Sequence, residues 1–218
     1  ATARTRAARL IAAEEGGRLD ALDPGTVQIR TPVRTYPPVA LALAGAHQRT
    51  NAVGAVRLLE TLDADGLAVP PAAIVSGLRD VEWPGRLQRV VGASGTLWLD
   101  AAHNPAAATA LATYLRDSAV ARLPIVLAIM DDKDAEGIVR ALAPVASRFV
   151  CTAPGTPRAI PPDALGRLVG DLVHPTPVTT APTPWDAVRE ARSEADSVCV
   201  TGSIFLVGDV LGRLSNGP

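Results

Sequence analysis

From Leu87 to its end the sequence alternates short, β-rich apolar segments with alanine-rich amphipathic ones, and that alternation admits few folds. Strands are expected at residues 87–91, 96–99, 125–129, 148–151, 178–180 and 198–201. Helices are expected at 105–116, 135–142, 162–169, 184–194 and 203–214. Pro105, Pro162 and Pro184 fall in the first turns of three of these helices, where a missing N–H costs nothing. The continuous apolar runs PIVLAI and SVCVTG suit strands buried on both faces. The expected fold is therefore α/β: right-handed βαβ units on a mostly parallel six-stranded sheet flanked by helices.

The first eighty residues read differently. A helix at 2–13 leads through a Gly/Asp/Pro turn to two short strands, near 27–30 and 39–43. A second helix, 48–62, sets Val53, Val56 and Leu59 on one apolar face at helical spacing. The stretch DADGLAVPP reads as a loop and 72–77 as a short helix. Two short strands are too little sheet for a free-standing domain. Residues 1–80 are thus expected to be the trailing part of a larger domain, VEWPG (81–85) a hinge, and 86–218 a domain of its own.

Charge and cysteine usage narrow the function classes. Lys and Arg together number 21 against 22 Asp and Glu, a net charge of −1, which gives no general pull toward nucleic acid or anionic membrane. No apolar run approaches the ~20 residues of a membrane span. The start, ATARTRAARLIAAEEGG, breaks into Glu14 and Glu15 with no signal-peptide core, and a cytoplasmic setting is the expectation. Cys151 and Cys199 are too few for a disulfide framework or a four-cysteine zinc site. Lys133 is the only lysine, and it follows Ile-Met-Asp-Asp, so no G-x-x-x-x-G-K-[ST] phosphate loop exists in the chain. No G-x-G-x-x-G follows any strand either, which argues against a dinucleotide-dependent oxidoreductase.

Five segments carry candidate chemistry, each with a plainer reading beside it. In LWLDAAHNP a strand runs into a polar turn and then a helix. Ligands of parallel sheets bind beyond the carboxyl ends of strands, so Asp100 could accept from ribose hydroxyls and His103 could donate to a phosphate or carboxylate. Helix capping by Asp100 or Asn104 is the alternative. In AIMDDKD, Lys133 could hold an anionic substrate as a point charge, or simply neutralise its aspartate neighbours. In VTGSIF, Ser203 and free helix N–H groups could bind an anion, or Ser203 could be an ordinary N-cap. In WPGRLQ, Arg86 could reach a phosphate across a hinge, or form a structural ion pair. In GAHQRTNAVGAV, the Asn51 amide could read an adenine edge, or cap a helix.

Taken in order, LAGAHQRTNAVGAVRLLE, VEWPGRLQRV, LWLDAAHNPAAATALATYL, AIMDDKD, PRAIPPDAL and VTGSIFLVGDV resemble the second half of a folylpolyglutamate synthase or dihydrofolate synthase. These enzymes belong to the Mur ligase superfamily. The resemblance is firmest from Leu41 to Val210. One departure is visible, because the family usually has Asp-Gly-Ala-His-Asn-Pro where this chain has Ala101 in place of the glycine.

The resemblance implies a Rossmann-like C-terminal domain preceded by the trailing part of a Mur-ligase-type central domain. It also implies ATP-dependent amide ligation, in which ATP phosphorylates a carboxylate of dihydropteroate or folate and the amine of L-glutamate attacks the acyl phosphate. Carried over by motif, Asn51 would contact adenine, Arg86 the phosphates, and Asp100 the ribose. His103, Lys133 and Ser203 would line the glutamate side, with Arg86 and His103 serving catalysis. ATP and Mg2+ are the implied cofactors, the phosphate loop and metal ligands being expected upstream. The partners are then small molecules, with neither nucleic acid nor membrane, and the full-length enzyme a monomer. On this reading the chain is a fragment, inactive alone. The competing reading is a non-catalytic α/β nucleotide- or anion-binding module that keeps the ligase fold.

Overall fold

The computed structural model describes residues 5, 10–12, 15–23, 25–92, 95–118 and 122–215. The helix expected at 2–13 falls almost wholly outside them. The chain divides into two compact units, Ala1–Trp83 and Pro84–Pro218.

In the N-terminal unit, β1 (Arg18–Asp23), β2 (Thr26–Arg30) and β3 (Val39–Ala40) form an antiparallel sheet in that order. Helices α1 (Ala46–Ala64) and α2 (Pro71–Asp80) follow. The turn expected before the first strand is itself a strand, β1. Its sequence, RLDALD, has little β preference, and its conformation comes from pairing with β2, which sets Leu19 opposite Ile29. Ile29, Tyr36, Ala52, Val56 and Ile74 make the core, with Leu19 packed against it.

A buried polar cluster ties α1 to the sheet. The Glu60 carboxylate accepts from Thr31 Oγ1 at 2.6 Å, from the Tyr36 hydroxyl at 3.0 Å and from Arg57 at 2.9 Å. The Glu60 side chain is only 3% exposed, so these partners replace the water it has lost.

The C-terminal unit contains β4 (Gln88–Gly92), β5 (Gly95–Leu99), α3 (Pro105–Asp117), β6 (Leu123–Leu127), α4 (Ala135–Leu142), β7 (Ala146–Cys151), α5 (Pro162–Val173), β8 (Val178–Thr180), α6 (Pro184–Arg192), β9 (Ser197–Thr201) and α7 (Ile204–Ser215). The sheet order is β4-β5-β9-β6-β7-β8. Only β4 runs antiparallel, against β5; every other pairing is parallel. Helices α6 and α7 cover one face, burying Ala187, Val188, Leu206 and Val207 against Leu97, Val126, Val150 and Val198. Helices α3, α4 and α5 pack side by side on the other. The central strands β6 and β9 are buried almost throughout, as the apolar runs PIVLAI and SVCVTG require.

Candidate functional site

The last strand, β9, returns between β5 and β6. From neighbouring carboxyl ends, β5 feeds α3 on one face while β9 feeds α7 on the other. This divergence opens a crevice beyond the strand ends, the usual ligand position in an open parallel sheet. Asp100 and His103 follow β5, Ser203 follows β9, and Lys133 lies in the turn after β6.

Asp100 is buried, and both carboxylate oxygens are engaged. Oδ2 accepts from the Leu87 N–H and Oδ1 from the Ala102 N–H, each at 2.9 Å. It therefore braces the turn before β4 against the end of β5, and any ribose hydroxyl must use its remaining lone pairs. The helix cap is Asn104, whose side chain accepts from the Ala107 N–H at 2.9 Å. His103 is exposed, with Nδ1 2.9 Å from the Ala101 carbonyl oxygen. A carbonyl oxygen can only accept, so Nδ1 is the donor in this contact.

Ser203 is fully buried at the start of α7. Its Oγ accepts from the Phe205 N–H at 3.1 Å, as an N-cap does. The preceding Gly202 has φ +98°, and a Cβ there would stand 2.5 Å from the Ala128 carbonyl oxygen. Only glycine fits this turn, which sets the first N–H groups of α7 beside the end of β6.

Lys133 does not stand free. Its Nζ lies 2.7 Å from Asp132, which also pairs with Arg158 at 3.0 Å. The Lys133 hydrogen bond, then that of Arg158, holds the Asp132 carboxyl below the usual carboxylate range. Lys133 thus neutralises a neighbour, and its side chain is 32% exposed. Asp134 caps α4 through the Gly137 N–H at 2.8 Å.

Arg86 is exposed between two buried residues, Gly85 and Leu87, both with left-handed backbones, φ +73° and +46°. For leucine that conformation costs about 1–2 kcal/mol and must be held by its surroundings. In the N-terminal unit, Asn51 is exposed on α1 and donates to Gln48 Oε1 at 3.2 Å. It borders an apolar cavity of about 440 Å³ that Leu41, Val56, Leu59, Ile74 and Leu78 help to line.

The two cysteines take no part. Burial pushes the Cys151 thiol up to about 12, while burial and the Asp100 charge push Cys199 up as well, so neither is a thiolate nucleophile. Among the described residues no three His, Cys, Asp or Glu side chains converge to hold a metal ion.

Sequence reasoning missed the bracing of the 84–88 turn, including Gln88, and the steric demand at Gly202. The adjacent glycines in WPGRLQ and VTGSIF were the available signals.

Residues 85–204 match the family model described as Mur ligase, glutamate ligase domain. The chain is 37% identical over 181 residues to the dihydrofolate synthase/folylpolyglutamate synthase of Mycobacterium tuberculosis, covering 82% of this chain and 37% of that protein. It is 36% identical over 197 residues to a probable bifunctional folylpolyglutamate synthase/dihydropteroate synthase of Haloferax volcanii, covering 89% of this chain and 23% of that protein. Among solved structures, Mycobacterium tuberculosis folylpolyglutamate synthase complexed with ADP superposes with a TM-score of 0.85 at 31% identity, over 99% of this chain and 51% of the other. The chain spans about half the length of that solved relative and less of the curated ones.

Proposed function

Because the chain belongs to the Mur ligase family through its glutamate ligase domain, we propose that it is the C-terminal portion of an ATP-dependent ligase joining L-glutamate to dihydropteroate or a folate. What supports this reading is that the neighbouring strands β5 and β9 end next to Asp100 and Ser203, with His103 and the N-terminus of α7 following them. Such a site positions reactants and stabilises charge, which is what phosphoryl and acyl transfer need from a protein.

In the reaction, a substrate carboxylate oxygen attacks the γ-phosphorus of ATP and ADP leaves. The glutamate amine then attacks the acyl phosphate carbonyl, the C–N bond forms, and inorganic phosphate departs. Arg86 offers planar N–H donors to the phosphates. His103, its Nδ1–H held by the Ala101 carbonyl, turns Nε2 outward as the acceptor for the proton that the glutamate ammonium must lose. Ser203 and the first turn of α7 meet a carboxylate, and Lys133 takes a glutamate carboxylate on leaving Asp132. Asn51 presents its amide to the adenine edge, beside an apolar cavity suited to a flat base. Mg2+, where bound, neutralises phosphate charge. The complete enzyme works as a monomer in the cytoplasm.

The test uses the complete polypeptide carrying this sequence. Arg86→Ala should lower kcat for ATP-dependent turnover, and Lys133→Ala should chiefly raise KM for glutamate. Unchanged kinetics in both variants rejects the site. The 218 residues alone should form no ADP in response to glutamate, and measurable turnover by them refutes that part of the reading. ADP binding without ligation by the complete polypeptide assigns instead the non-catalytic binding module.

A further inference from the structure

Arg86 occupies an unusual place in the C-terminal unit. It is exposed, yet the residues on both sides are buried and left-handed. Three hydrogen bonds pin this turn. The Gly85 N–H donates to Gln88 Oε1 at 2.8 Å, the Gly85 carbonyl accepts from the Ala101 N–H at 2.8 Å, and the Leu87 N–H donates to Asp100 Oδ2 at 2.9 Å. Gly85 also packs on α7, where a Cβ would stand 2.7 Å from Val207 Cγ1. The turn therefore rests on the end of β5 and on the helix that Ser203 caps.

We propose that Gln88, together with Asp100, is a positioning residue that holds the turn at 85–87 and so aims Arg86 at the phosphates of the bound nucleotide. The inference rests on the ligase reading above. Leucine does not keep a left-handed backbone unaided. Were Leu87 to relax, the 86–87 peptide would rotate and carry the Arg86 Cα–Cβ direction with it. Gln88 closes the turn on one side of Arg86 and Asp100 on the other, and neither needs to touch the phosphates to matter for them. An arginine fixed in this way loses less freedom on binding, which is how preorganisation raises affinity.

The test is calorimetric titration of the complete polypeptide carrying this sequence with ADP and with adenosine, which lacks the phosphates. Arg86→Ala should weaken ADP and leave adenosine unchanged. Gln88→Ala should weaken ADP about fivefold, the worth of one hydrogen bond, again sparing adenosine. In the Arg86→Ala background, Gln88→Ala should have no further effect, because its influence runs through the arginine. An ADP loss that persists in that background, or an equal loss for adenosine, overturns the proposal. ADP binding that depends on Arg86 but not on Gln88 overturns it while leaving the ligase reading standing. No ADP binding by the unmodified complete polypeptide removes both. A nucleotide-free readout is the backbone 15N order parameter of Arg86. It should fall from rigid values near ~0.85 toward flexible ones in Gln88→Ala. Gln88→Glu, which keeps the acceptor oxygen, should hold it; an unchanged value in Gln88→Ala overturns the proposal.

Discussion

Gly202→Ala isolates the turn that places Ser203 and α7 beside the end of β6. At φ +98° an alanine pays about 1–2 kcal/mol for its backbone alone. Its methyl would also meet the Ala128 carbonyl oxygen at 2.5 Å and Leu127 Cδ1 at 2.8 Å. The carbonyl belongs to the backbone at the end of a buried central strand and cannot swing aside, so the strain of overpacking adds about 1–3 kcal/mol. The sum is about 2–5 kcal/mol of lost stability. Gly208→Ala and Gly212→Ala provide the contrast, since both sit in α7 with nothing within 4 Å of the added methyl. There the same change should stabilise by about 0.5–1 kcal/mol through helix propensity. Urea unfolding followed by tryptophan fluorescence reads all three, Trp98 and Trp185 both lying in the C-terminal unit. With slopes of about 1–3 kcal/mol/M, Gly202→Ala should lower the midpoint by about 0.7 M or more, and the other two should raise it slightly. A loss below about 1 kcal/mol, or one sign for all three variants, refutes the argument that this turn is closed to a side chain.

Two further predictions concern the N-terminal unit. Glu60→Ala should cost about 3–5 kcal/mol in denaturant unfolding, because it strands Arg57, whose side chain is only 14% exposed. Glu60→Gln, which keeps an acceptor for Thr31 and Tyr36, should cost less; equal losses would show that the carboxylate charge alone matters. Tyr36 supplies a pH dependence, its hydroxyl pushed from 10 up to about 12 by burial and then by the hydrogen bond to Glu60. Since the folded value lies above the unfolded one, this stabilisation is complete below pH 10 and is lost as pH rises from 10 to about 12, on the order of 2–3 kcal/mol in all. Absorbance at ~295 nm, taken as the difference from Tyr36→Phe, follows the ionisation; a midpoint near pH 10 in the native protein would contradict the burial argument.

The alternation after Leu87 made the α/β unit legible, because a strand buried on both faces has few ways to be written. The segments LPIVL and SVCVT are β6 and β9, at the centre of the sheet. Prolines at 105, 162 and 184 marked helix starts to the residue. The strand β1 was illegible, since Arg18–Asp23 owes its conformation to β2 rather than to its own composition. Of the site, the strand-end positions of Asp100, His103, Lys133 and Ser203 could be read from the pattern, but their partners could not. Nothing in AIMDDKD says that Asp132 is shared between Lys133 and Arg158, a residue brought near by the antiparallel bridge between Met130 and Ala159. Nor does LWLDAAHNP reveal that Asp100 spends both oxygens on backbone N–H groups, one of them thirteen residues away.

These hidden contacts share a physical origin. Strands and helices are repeating structures, so their residues are chosen by period, and period can be read along the chain. A side chain at the carboxyl end of a strand is aimed by the turn that leaves the strand, and that turn is chosen by what it must avoid. Gly85 is confined by Val207 and Gly202 by the Ala128 carbonyl. Both glycines border the crevice where β5 and β9 send their helices to opposite faces. The conformational cost at Gly202 falls next to β6 and β9, strands buried along nearly their whole length. A substitution that relaxes either turn should therefore move Arg86 or Ser203 long before it unfolds the sheet.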